Sequence, residues 1–203
     1  MIGIIDCGIN NIKSLLDALD FINISYKIVD SKKDLKLHEN FILPGVGSFD
    51  AGINALKKKD LFYSLREQDF SKKKILGICL GMQLLGKSSE EGKEAGLGLI
   101  DADFFHLKNL GVKSKIPHVG FNEIVSISGS SSFLKNIKDK DFYFIHSYAA
   151  KVNDDKVMYA NTEYEKSKII AAFNYKNIYG TQFHPEKSGI RSLTIIENIF
   201  KDK

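Results

Sequence analysis

The strongest constraint on the fold is an alternation that runs through the first 87 residues. Short apolar runs end in turns, and amphipathic stretches follow them. "IGIID" (2–6) stops at Gly8, and "NNIKSLLDALDFI" then repeats Ile12, Leu15, Leu16, Leu19 and Ile22 at helical spacing. "SYKIVD" (25–30) and "NFILP" (40–44) read as two further strands. "FDAGINALKKKDLFYSLREQ" reads as helix, and "KKILGIC" as a fourth strand running into another helix. Strands that alternate with helices must return by crossovers, which gives a parallel sheet covered on both faces.

The middle of the chain changes character. "GLIDADFFHLKN", "KIPHVGFNEIVSIS", "KDFYFIHSYAAKV", "KVMYANTEY", "KIIAAFNYKN" and "IYGTQFHPE" are strand-like, with turn residues between them. "GIRSLTIIENIF" closes as a helix whose expected buried stripe is Ile190, Leu193, Ile196 and Ile199 or Phe200. No repeat, low-complexity tract or linker interrupts the 203 residues. The expectation is one α/β domain over 1–203, with a central mostly parallel sheet flanked by helices and an additional β-rich portion.

Composition removes several function classes. No stretch approaches the ~20 uninterrupted apolar residues of a membrane span. "MIGIIDCGIN" lacks the basic start and small-residue cleavage site of a signal peptide. Two cysteines, Cys7 and Cys79, give no disulfide framework, so a cytoplasmic location is expected. The net charge of +4 comes from lysines scattered beside acids, and Arg66 and Arg191 are the only arginines, so no nucleic-acid partner is expected. "DCGINN" opens the first strand–helix turn, but without G-x-G-x-x-G spacing or a P-loop it does not read as a nucleotide site.

The chemistry lies elsewhere. In "ILGICLGMQLL", Ile75, Leu76 and Ile78 form a strand, Cys79 stands at the turn, and Leu80 onward is helix. Reactive groups gather at the carboxyl ends of parallel strands, and Gly77 and Gly81 remove side chains that would crowd a sharp elbow. A helix N-terminus favours thiolate, and the amide of Leu80 is placed to donate to an oxyanion. Gln83 lies one helical turn beyond Cys79, near the substrate group. In "GTQFHPEKSG", strand alternation is expected to point His184 and Glu186 the same way, with Pro185 stiffening the spacer. A cysteine elbow plus an imidazole oriented by a carboxylate is the constellation of a nucleophilic catalytic triad.

These motifs resemble the class I glutamine amidotransferases, and more closely the glutaminase subunits of imidazole glycerol phosphate synthases, over essentially the whole chain. "PGVGSF" (44–49), "GICLGMQLL" (77–85), "SSEEG" with "GLGLI" (88–100), "PHVGFNE" (117–123), "FIHSY" (144–148) and "QFHPEKS" (182–188) carry the resemblance. It implies a flavodoxin-like fold and a Cys79–His184–Glu186 triad that hydrolyses glutamine to glutamate and ammonia. It also implies an oxyanion site at Val46 and Gly47 with Leu80. Glutamine would be held by Gln83, Glu91, Ser147 and Tyr148, although spacing alone leaves Glu90 open beside Glu91. His146 reads as structural.

The resemblance further implies a separate (β/α)8-barrel cyclase as heterodimer partner, which uses the ammonia to make imidazole glycerol phosphate and AICAR in histidine biosynthesis. Asn11, Phe121, Asn122, Tyr143 and Lys187 match the docking face of such subunits. Neither cofactor nor metal is expected. Two positions depart from the pattern: Phe121 stands where tryptophan is usual, and "DCGINN" puts Cys7 for tyrosine and Asn10 for glycine. Those departures leave open an alternative acceptor, because some bacterial relatives supply ammonia for amidating surface-polysaccharide sugars.

Overall fold

The computed structural model describes residues 1–8, 12–113, 115–129, 133 and 141–201. The alternating first part forms β1 (Ile2–Ile5), α1 (Lys13–Phe21), β2 (Tyr26–Val29), α2 (Lys32–Leu35), β3 (Asn40–Gly45), α3 (Phe49–Lys58), α4 (Leu61–Arg66), β4 (Lys74–Cys79) and α5 (Leu80–Leu84). The expected long helix after residue 48 is thus two helices. Asp60 adopts a left-handed backbone (φ 57°) and ends the first of them. The short α2 carried too few residues to show a period.

The β-rich part supplies β5 (Ser88–Ser89), β6 (Ala102–His106), β7 (His118–Ile127), β8 (Asp141–His146), β9 (Tyr148–Val152), β10 (Met158–Tyr164), β11 (Ser167–Tyr175) and β12 (Ile178–Thr181). "KDFYFIHSYAAKV", expected as one strand, is two strands broken at Ser147. The chain closes with a 3-10 turn at Ile190–Leu193 and α6 (Thr194–Phe200). That tight turn leaves Ile190 65% exposed, so the buried stripe is Leu193, Ile195, Ile196 and Ile199.

Strand order is β2–β1–β3–β4–β12–β11–β10–β7–β8. The first five are parallel to one another, and the chain then turns antiparallel from β12 through β11, β10, β7 and β8. Alternate residues of the parallel strands enter opposite cores. Phe41, Leu43 and Ile75 pack with α3, α4 and α5, whereas Ile42, Leu76 and Ile78 pack with α1 and α6. Among the described residues no helix is long and apolar enough to cross a membrane.

Candidate active site

Cys79 ends β4 and caps α5, with φ 55° and ψ −111°, a conformation a non-glycine residue adopts only under constraint. The constraint is packing of backbone on backbone. A Cβ on Gly77 would lie 2.6 Å from the Gly81 carbonyl oxygen, and one on Gly81 only 1.7 Å from that of Leu43. The two glycines therefore let β3, β4 and the first turn of α5 close tightly around Cys79, which lines the cleft. With five residues, α5 offers its first-turn N–H groups as local donors more than as a macrodipole.

His184 and Glu186 meet by a route other than the expected strand alternation. Strand β12 ends at Thr181, and Pro185–Lys187 form a 3-10 turn. Within that turn His184 Nδ1 lies 2.7 Å from Glu186 Oε1. Ser188 staples the turn to β8: its hydroxyl donates to the His184 carbonyl at 2.5 Å and accepts from the Tyr143 N–H at 2.9 Å. The His184 N–H donates to the Tyr143 carbonyl at 3.0 Å.

Register then delivers the turn to the cysteine. Strand β12 pairs with β4 with Thr181 opposite Ile78, so the chain emerges beside Cys79. Burial alone would lower the His184 pKa, but the nearby Cys79 sulfur and the hydrogen-bonded Glu186 carboxylate outweigh it and raise it to about 9. The sulfur acts on the imidazole without a formed hydrogen bond: buried His184 Nε2 has no bonding partner among the described residues. That nitrogen is the one left to exchange a proton, since Nδ1 is committed to Glu186.

A cleft of about 370 Å³ opens over this group. Cys79, Leu80, Gln83 and His184 line it, as do Val46 and Gly47 from the turn after β3, where Gly45 pairs with Cys79. Gly47 has φ +97° and no atom near its missing Cβ, so this peptide is unobstructed on that side. Glu91, Ser147, Tyr148 and Lys187 also line the cleft.

Glu90 and Glu91 have different partners, and only Glu91 lines the cleft. Glu90 accepts from the His106 N–H at 2.7 Å and the Asn109 amide at 2.8 Å, away from the cleft. Glu91 Oε2 accepts from the Phe49 N–H at 2.8 Å, and its segment is pinned by Asp50, whose carboxylate accepts from the N–H groups of Lys93 and Glu94.

Of the residues matched to a docking face, Lys187 lies at the rim and Phe121 is 64% exposed beside Tyr143, its cross-strand partner, with ring centroids 5.6 Å apart. Val119 and Ile145, paired one step nearer the cleft, extend the same exposed apolar face. Asn122 differs. It points to the inner side of β7, with its amide donating to the Glu163 carbonyl at 2.8 Å. Asn11 and Asn10 lie outside the described residues, and Cys7 is buried.

Sequence reasoning missed Gln182. It is fully buried, its amide nitrogen is 3.9 Å from the Cys79 sulfur, and its Oε1 accepts from Gln83 at 3.3 Å. The residue stands inside "QFHPEKS", two before His184, so proximity in sequence was the available signal. Asp50, which holds the Glu91 segment, carried none, because its partners lie over forty residues away.

A cysteine elbow on a parallel sheet, beside an imidazole–carboxylate pair, defines the class to which this chain is matched. A profile described as "Glutamine amidotransferase class-I" matches residues 3–203, and the chain belongs to that family. It is 41% identical over 202 residues to the imidazole glycerol phosphate synthase subunit HisH of Leptospira borgpetersenii, covering 98% of both chains. It is 42% identical over 200 residues to that of Caldanaerobacter subterraneus subsp. tengcongensis, covering 98% of this chain and 96% of the relative. Among solved structures, one titled as a glutamine amidotransferase superposes with a TM-score of 0.71 at 14% identity, over 96% of this chain and 97% of the other. A glutamine amidotransferase from Thermotoga maritima gives 0.60 at 20% identity, over 99% and 82%. These two bear on the fold.

Proposed function

We propose that the chain, as a single glutamine amidotransferase domain over residues 1–203, is the glutaminase subunit of an imidazole glycerol phosphate synthase, cytoplasmic and acting in histidine biosynthesis. The observation that carries the reading is the meeting of the Cys79 thiol with the His184–Glu186 pair in the cleft of a chain about 40% identical, end to end, to HisH subunits.

The Cys79 thiolate attacks the side-chain amide carbon of glutamine. The oxyanion that forms is held by the Leu80 N–H and by the Val46–Gly47 peptide, whose glycine lets an N–H turn inward. His184, kept protonated by the charges around it, passes a proton from Nε2 to the amide nitrogen, and the C–N bond breaks to release ammonia and leave a glutamyl thioester. Water, deprotonated by the now neutral imidazole, attacks the thioester carbonyl; glutamate leaves and the thiolate returns. Glu186 orients the ring throughout. Glu91 has its Oε1 available for the substrate ammonium while Oε2 stays on the Phe49 N–H, and Gln83, Ser147 and Tyr148 hold the rest of glutamine.

Ammonia is a nucleophile only when neutral, and amines of its kind are mostly protonated near pH 7. Direct transfer to a cyclase seated over the cleft mouth solves that. The exposed face of Phe121, Tyr143 and Ile145, with Lys187 at the rim, has the aromatic and apolar character of such a seat. The test is glutamine hydrolysis by the full chain, alone and with a (β/α)8-barrel cyclase and its ribotide substrate. Glutamate release coupled to imidazole ring formation, abolished by Cys79→Ala in a folded protein, is expected. Turnover that survives Cys79→Ala overturns the chemistry, and coupling to a sugar-amidating enzyme in place of the cyclase reassigns the acceptor.

A further inference from the structure

His118 and His146 take no part in the chemistry above, yet both imidazoles are buried, and His146 lines the cleft. They face each other across β7 and β8 in register, with His118 Nδ1 and His146 Nε2 3.0 Å apart. His118 is stacked between Tyr164 and Phe144, at centroid distances of 4.0 and 4.6 Å. The second nitrogen of His146, Nδ1, is 2.9 Å from the Tyr148 carbonyl oxygen, and the second nitrogen of His118, Nε2, is 3.4 Å from the Asn122 amide.

The proton positions follow from either end of this chain. A carbonyl oxygen only accepts, so His146 Nδ1 carries hydrogen; in the neutral ring Nε2 then accepts, and His118 Nδ1 must donate to it. His118 Nε2 is left to accept from Asn122. The other end agrees independently. Asn122 Nδ2 donates to the Glu163 carbonyl at 2.8 Å, and Oδ1 accepts from the Glu123 N–H at 2.9 Å, which turns the amide nitrogen toward His118. Burial lowers the pKa of His118 to about 4. Burial first, and the neighbouring His118 next, lower that of His146 to about 3, so both rings stay neutral.

What the pair holds is the strand break at Ser147. Strand β8 pairs with β7, whereas β9 pairs with β6 and β11, so the chain changes ladders at this residue. The His146 ring bridges to the carbonyl two residues on and closes that bend. Gln83 donates to the same carbonyl at 3.4 Å. Ser147 and Tyr148, displayed by the bend, line the cleft.

We propose that His118 and His146 are positioning residues for glutamine, two neutral imidazoles locked in the Nδ1–H form that set the Ser147–Tyr148 wall. This rests on the glutaminase reading above. His118→Phe keeps a ring in the aromatic stack but removes both hydrogen bonds, whereas His118→Asn keeps a donor at the Nδ1 position. His118→Phe is expected to raise KM for glutamine about five- to tenfold while kcat changes less than about twofold, and His118→Asn to recover most of that loss.

On the unaltered chain, nitrogen NMR at about pH 6 to 8 is expected to show two neutral imidazoles protonated at Nδ1. Hydrogen at Nε2 on either ring, or an unchanged KM in His118→Phe, overturns the proposal. If His118→Phe fails to fold, the tautomers and the His118→Asn kinetics still decide it. A wild-type chain that hydrolyses no glutamine with any acceptor defeats the glutaminase reading instead, and the tautomers then report on the pair alone.

Discussion

Replacing Glu186 by glutamine tests the charge arrangement around His184. Burial opposes protonation of that imidazole, yet the Cys79 sulfur and the Glu186 carboxylate together raise its pKa from 6.5 to about 9. The difference favours the imidazolium by about 3 kcal/mol, shared among coupled groups. Because the folded pKa is raised, the folded chain holds a proton that the unfolded chain has released. This contribution to stability is complete below pH 6.5 and is lost as pH rises through about 9.

In the proposed mechanism the same proton goes to the departing ammonia, so glutamine turnover should fall over the same alkaline range. Glu186→Gln keeps the shape of the side chain and removes its charge. One opposite charge at hydrogen-bond distance is worth about 1–3 pKa units, which moves the alkaline limb of kcat/KM down to about pH 6–8. The assay is glutamate release across pH in a constant-ionic-strength buffer, with the His184 ring followed by NMR. A limb that stays near 9 in the variant, with an unmoved imidazole titration, would refute the reasoning.

Two further outcomes follow from the same geometry. Cys79 sits at φ 55°, so Cys79→Gly should be more stable than Cys79→Ala by about 1 kcal/mol in urea unfolding, with neither protein hydrolysing glutamine. An alanine variant more stable than the glycine one would show that the elbow carries no strain. Asp50→Ala releases the N–H groups of Lys93 and Glu94 and frees the segment that carries Glu91, so KM for glutamine should rise about fivefold with kcat nearly constant. An unchanged KM would separate Asp50 from the substrate site.

Apart from α2 and the break between α3 and α4, the strands and helices of the first 87 residues were legible because each depends on a local period. Leu15 and Leu19 face one core at helical spacing, and Phe41 and Ile42 part to opposite faces within one strand. The elbow was legible for a similar reason: glycines flanking a cysteine at a strand end have few other uses. Failures fell where a local signal was overruled by contacts. Ile190 fits the helical stripe, yet a 3-10 turn lifts it into solvent. Phe121 and Asn122, adjacent in β7, point to opposite faces of the sheet.

What the residue order alone determined was the class of chemistry: a thiol on one stiff local turn, and an imidazole and a carboxylate together on another. Only the tertiary structure decided that they meet. Thr181 stands opposite Ile78, and Gly45 opposite Cys79, through ladders that join segments far apart in the chain. It also decided which of two adjacent glutamates faces the cleft, and that two buried histidines come within hydrogen-bond distance of each other. Local preference acts over a few residues, whereas strand register is chosen by the burial of whole faces, and no short stretch of sequence contains that choice.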